Sequence, residues 1–274
     1  MAASSRNQSK SGMLVFDEEA GRKLEALYLT DEAVARRQAL RQGLQLSPGE
    51  CGLYIGSGPG LAPCDIAREL GPTGRLAVVE KNATMLTLTE RRAARDGLLD
   101  RLDLREGDAE ALPFPDGVFD FVGSAQVFEY VPDVARAVAE AFRVLRPGAR
   151  AALLDTDWQT LIWHAEDADL GARVAAAWDG HLAHNHLPRH LKLLLSRTGF
   201  RVERVEPFVI LNTDEGPNAF STMLLHIVAD YVRGTGQLSP VEVDTWVADI
   251  RHQIGRGSYF FSLNYYLFVA HKPD

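Results

Sequence analysis

A chain of 274 residues, 46% apolar and 24% charged, has enough material for one large α/β domain or for a core domain with a sizeable insertion. With 29 basic against 37 acidic residues the net charge is −8, which disfavours a phosphate backbone as partner. No apolar run approaches a membrane span, so neither nucleic acid nor membrane is an expected partner.

In chain order, Met1 to Gly12 is rich in Ser, Ala and Lys and lacks the apolar core of a signal peptide. It reads as a disordered tail of a cytoplasmic protein. Residues 13–46 read as an N-terminal helical cap in two pieces. Thr30 is placed to cap the second piece, Asp31 and Glu32 put negative charge in its first turn, and Ala33, Val34, Leu40 and Leu44 make an apolar stripe.

The stretch Gly52 to Gly60 reads G-L-Y-I-G-S-G-P-G, a short apolar strand ending in a glycine turn, with an apolar-periodic helix beyond it. Glycines let the backbone reverse and let a ligand approach the main chain, and the following helix offers unpaired N–H groups. The turn therefore predicts a cofactor site. A dinucleotide fingerprint needs G-x-G-x-x-G/A, but Leu61 occupies the required position and the spacing is G-x-G-x-G. A second strand, Arg75 to Glu80, ends in a carboxylate about 20 residues further on, where a ribose-binding acid belongs. Cys51 and Cys64 flank the turn and read as small packing residues rather than as a disulfide or metal pair.

Asn82 caps a helix carrying Met85, Leu86 and Leu88. Leu102 to Arg105 and Val118 to Ser124 read as strands three and four. A helix starting at Pro132 ends at Pro147-Gly148, and Ala149 to Asp155 is strand five. Such alternation predicts a doubly wound, mostly parallel sheet. Further on, Asp169 to Asp179 and His190 to Arg197 are helical, and Phe200 to Leu211 and Ser258 to Ala270 are strands. Residues 212–257 carry two apolar-periodic runs and are too long for a plain connection, so they read as a helical insertion or lid. Residues 47–211 and 258–274 then make the core.

Four landmarks together resemble the class I S-adenosylmethionine-dependent methyltransferases, specifically the small-molecule, ubiquinone/menaquinone C-methyltransferase-like group. They are Gly56 to Gly60, Glu80, the stretch Gly107-Asp108-Ala109 with Leu112-Pro113-Phe114, and Phe119 to Val122 with Arg143 to Gly148. The resemblance covers roughly Leu29 to Asp155. It implies a Rossmann-like seven-stranded sheet with the last strand antiparallel, and S-adenosylmethionine as cofactor. It also implies cofactor contacts at Tyr28, Tyr54, Gly56, Ser57, Gly58, Gly60, Glu80, Lys81, Met85, Asp108, Ala109 and Gln126. Two positions depart from the family pattern. Tyr54 stands where an acid usually helps to hold the cofactor ammonium group, and Ala149 stands for the usual second glycine.

Methyl transfer is an in-line displacement, so the protein mainly positions the acceptor and excludes water, with a base only where the acceptor must lose a proton. Ligands bind beyond the C-terminal ends of the strands, which selects Gln126, Glu129 and Tyr130 after strand four, and Asp155, Asp157, Trp158 and His164 after strand five. Tyr28 resembles the aromatic residue that covers the cofactor from the N-terminal helices. The catalytic candidates are Tyr28, Glu129, Asp157, His164 and, from the cluster His181, His184, His186 and His190, His181. No metal is assigned to that cluster, because no cysteine is near and the spacing is not that of a chelate. The expected function is methyl transfer to a small, partly apolar metabolite, by a chain that can act as a homodimer. Two other readings stay open: the bound cofactor used as a fixed charge for a cyclisation, and a non-catalytic, cofactor-binding subunit.

Overall fold

The computed structural model describes residues 17–214 and 219–274. The expected N-terminal tail lies outside them. Seven strands form one sheet: β1 Cys51–Ile55, β2 Arg75–Glu80, β3 Leu102–Glu106, β4 Phe119–Ala125, β5 Leu145–Trp163, β6 Arg201–Asn212 and β7 Phe261–His271. Their order is β3-β2-β1-β4-β5-β7-β6, with β7 antiparallel to both its neighbours and the first five strands mutually parallel. The chain winds outward from β1 in both directions, so the carboxyl ends of β1 and β4 form the switch point at which open α/β sheets bind ligands.

Alternation along β1 divides the core. Leu53 and Ile55 go to one face with Val79, Val122, Val138 and Leu191, while Tyr54 goes to the other with Leu40, Leu44, Phe121 and Tyr265. The helices supply both covers: α1 Glu18–Tyr28, α2 Asp31–Leu44, α3 Leu61–Glu69, α4 Ala83–Arg95, α5 Val134–Val144, α6 Ala168–Asp179, α7 Pro188–Thr198, α8 Phe220–Thr235 and α9 Pro240–Arg256. Glycine at position 52 has a packing cause. A Cβ there would meet the Phe121 ring at 1.9 Å.

Several local expectations are corrected. The helix placed at Pro132 begins at Val134, because the Asp133 carboxylate accepts from the Arg136 amide and caps it. Strand five runs on to Trp163, because β7 pairs with it along its length, with a register shift between Asp157 and Ile162. Thr30 precedes α2 but donates its hydroxyl back to the Leu27 carbonyl at 2.8 Å instead of capping. On α2 the buried row is Ala33, Arg36, Leu40 and Leu44, and Val34 is exposed. The expected insertion is helical, as α8 and α9. Phe220, Leu224, Val228, Trp246 and Ile250 bury in the main core beside β7, and the residues of this segment that are described do not line the cleft below.

Candidate active site

The glycine turn follows β1 directly. Gly56, Gly58 and Gly60 have φ of +79°, +50° and +85°, a region that favours glycine. At Gly56 a Cβ would also meet Val127 Cγ2 at 2.1 Å. α4 pins the turn from outside: Thr89 Oγ1 donates to the Gly58 carbonyl at 3.1 Å and Arg92 Nε to that of Pro59 at 2.9 Å. From inside, Glu80 at the end of β2 accepts from the amides of Ser57 at 2.8 Å, Gly58 at 3.3 Å and Asn82 at 2.8 Å. The turn is thus held on both sides.

Beside it opens a cleft of about 440 Å³. The turn and Glu80 form one end. Lys81, Met85, Gly107, Asp108 and Ala109 continue it, and Gln126 and Tyr130 from the end of β4 face them. α1 and α2 make the cover through Leu24, Tyr28, Arg36 and Arg37. Asp108 is bound by Lys81 Nζ at 2.7 Å and accepts from the Glu110 amide at 3.0 Å. Burial pushes its carboxyl up, but these bonds outweigh that and hold it below the ordinary value. Burial raises the phenols of Tyr28, Tyr54 and Tyr130, so all three are neutral near pH 7. Gln126, a non-glycine residue at φ +55°, is turned so that its amide donates to the Leu154 carbonyl at 2.7 Å and its side chain to Thr156 Oγ1 at 3.3 Å. Backbone held in that region marks a constrained position.

Of the twelve expected cofactor contacts, eleven line this one cleft. Gly60 lies behind it, starting α3 against Thr89. The catalytic expectations fare differently. Only Tyr28 of the five lines the cleft. Glu129 is fully buried beneath it, accepting from the Thr156 amide at 2.8 Å and Trp158 Nε1 at 3.1 Å, and burial pushes its carboxyl up to about 7. The buried Asp157 is committed to Arg189 by contacts of 2.7 and 3.0 Å. His164 sits exposed just past β5, next to a different hollow lined by Trp163 and Trp246. His181 is enclosed by aromatics, stacked 3.6 Å from Trp178 and edge-on to Trp158, and burial pulls its imidazole down to about 3. His184 and His186 bond to the Val131 carbonyl and to Asn185, and no group of three metal-ligating side chains occurs among the described residues.

Arg36 escaped the sequence reading. Its signal was its place in the row Ala33, Arg36, Leu40, Leu44, at helical spacing on the buried face.

Residues 53–153 match the family described as Methyltransferase domain. An uncharacterized 37.1 kDa transposon protein of Streptomyces fradiae is 28% identical over 90% of this chain and 70% of its own length. The ubiquinone/menaquinone biosynthesis C-methyltransferase of Brucella abortus is 35% identical over 39% of this chain, which spans 40% of that protein. Among solved structures, the [4+2]-cyclase SpnF superposes with a TM-score of 0.59 at 20% identity, over 88% of this chain and 81% of that one. At that identity the likeness shows the fold alone. With the glycine turn, Glu80 and the sheet order, the match over residues 53–153 supports an S-adenosylmethionine-dependent methyltransferase domain there, similar to the ubiquinone/menaquinone C-methyltransferases.

Proposed function

We propose that this chain transfers a methyl group from S-adenosylmethionine to a small, partly apolar metabolite held between the β1–β4 switch point and α1–α2. The observation that carries this reading is the convergence of the glycine turn, Glu80, Asp108 and Gln126 on one cleft. The donor set suits the cofactor. Glu80 offers carboxylate lone pairs to a ribose diol, and Asp108, held ionised, suits the adenine amino group. Bound S-adenosylmethionine supplies an electrophilic methyl on a sulfonium.

The chain's own residues position the acceptor and keep water away. Tyr28 and the apolar Leu24, Ala33 and Leu40 cover the cleft, and the neutral phenols of Tyr28 and Tyr130 give and accept hydrogen bonds without charge. Among the described residues, the only carboxylates lining the cleft are Glu80 and Asp108, while Glu129 and Asp157 are engaged elsewhere. This suits an acceptor that is already nucleophilic. The test is calorimetric titration with S-adenosylhomocysteine, followed by assay of its formation from S-adenosylmethionine with candidate acceptors. A protein that binds neither form of the cofactor overturns the reading.

A further inference from the structure

The buried row of α2 contains one charged side chain, Arg36, which is 4% exposed and lines the cleft. Its guanidinium carbon stands 3.6 Å from the Tyr265 ring centroid and 4.9 Å from that of Phe220. Stacking uses the face of the guanidinium, whereas its donors project in the plane. Two of the three nitrogens, Nε and Nη1, have no hydrogen-bond partner, and no carboxylate among the described residues forms an ion pair with Arg36.

A guanidinium stays charged at any working pH, and burying it without a counter-charge is costly. The buried Glu129 feels the Arg36 charge, which favours its ionised form, but burial outweighs this and no ion pair closes between the two. Glu129 is spent on Thr156 and Trp158. Arg37, the next residue, has what Arg36 lacks: Asp65 at 2.8 Å and the Tyr28 carbonyl at 2.8 Å.

The geometry points to an anion subsite on the inner wall of the cleft, where Arg36 receives a carboxylate or similar planar oxyanion of the methyl acceptor. Arg36 packs with Tyr265 of β7 and Phe220 of α8, away from the β1–β2 end where Glu80 holds the turn. The substrate class is therefore an apolar molecule carrying an acid group. A planar, two-pronged donor matches a carboxylate in shape as well as charge. The inference rests on the cleft being the reaction site, as proposed above. The same chemistry could come from the α-carboxylate of the cofactor, and the test separates the two.

Benzoate, cinnamate and decanoate would be titrated against their uncharged amides, with and without saturating S-adenosylhomocysteine, on the wild type and on Arg36→Met. At least one acid is expected to bind the wild type tenfold or more tightly than its amide. The preference should fall below twofold in Arg36→Met while S-adenosylhomocysteine affinity stays within twofold. No acid preference in the wild type, or one that survives Arg36→Met, overturns the subsite. A tenfold loss of S-adenosylhomocysteine affinity in Arg36→Met hands the residue to the cofactor carboxylate and overturns the substrate assignment. Because the acids are also run on cofactor-free protein, failure of the wild type to bind S-adenosylhomocysteine counts against the methyltransferase reading alone. Should Arg36→Met not fold, Arg36→Lys keeps the charge and loses the fork. It is expected to lose at least threefold of the preference, and an unchanged preference overturns the proposal.

Discussion

The Glu80 carboxylate accepts the Ser57 amide at 2.8 Å, joining the end of β2 to the glycine turn after β1. The same oxygen lies 3.3 Å from the Gly58 amide. One acid therefore shapes the turn, and it is the residue proposed above to hold the ribose. Glu80→Ala is expected to weaken S-adenosylhomocysteine by roughly 1.5–3 kcal/mol, the worth of hydrogen bonds to a charged group. Unchanged affinity by calorimetry would remove Glu80 from the site.

Gly56→Ala tests the approach of Val127 to the turn. Placing alanine at positive φ costs about 1–2 kcal/mol by itself, and here the new Cβ also meets Val127. Gly97→Ala is the control, with φ +67° and open space around it. Gly56→Ala should lower the melting temperature more and cut cofactor affinity at least tenfold, while Gly97→Ala leaves affinity alone. Equal effects on both counts would mean the contact is of no consequence.

Tyr54 stands at the family's acidic position, yet its ring is 1% exposed in the main core and packs against Gly123. Tyr54→Asp removes that ring and buries a carboxylate, and truncating a buried aromatic side chain typically costs about 3–5 kcal/mol. It should lower the melting temperature sharply without tightening the cofactor. Tyr54→Phe, which keeps the ring, should match the wild type within twofold in S-adenosylhomocysteine affinity. A tenfold loss in Tyr54→Phe would show instead that the phenol touches the cofactor.

Glu129, in the turn after β4, and Asp155, midway along β5, bury two neighbouring carboxyls. Burial raises Glu129 to about 7, and burial together with the neighbouring Glu129 raises Asp155 well above the carboxylate range. Neither Asp155 oxygen closes a hydrogen bond, although the amides of Val127, Phe128 and Glu129 lie near enough to favour its charged form. A carboxyl whose folded pKa is raised contributes fully below its unfolded value near 4.5, and that contribution is lost as pH rises through about 7. Asp155→Asn removes the like charge, so its stability relative to the wild type should grow between pH 5 and pH 8, by on the order of 1–3 kcal/mol. His181, held down to about 3 by burial, runs the opposite way but is common to both proteins and cancels. A difference in melting temperature that stays flat over this range would refute the coupling.

What the sequence determined by itself was local. Gly56 to Gly60, Glu80 at the end of β2, the Asn82 cap and the strand alternation are set by backbone conformation and by period, which neighbouring residues along the chain decide. That was enough to pick out eleven of the residues that line one cleft. Which polar residues face that cleft was decided only by tertiary structure, because each choice depends on a partner far away in the chain. Asp157 looked free until Arg189, 32 residues on, closed on it. Glu129 was claimed by Trp158 on the next strand, and His181 by the two tryptophans that pack around it. Arg36 is the converse case. An arginine on a helix reads as solvated until Tyr265 and Phe220, brought in from β7 and α8, bury it with two of its nitrogens unmatched.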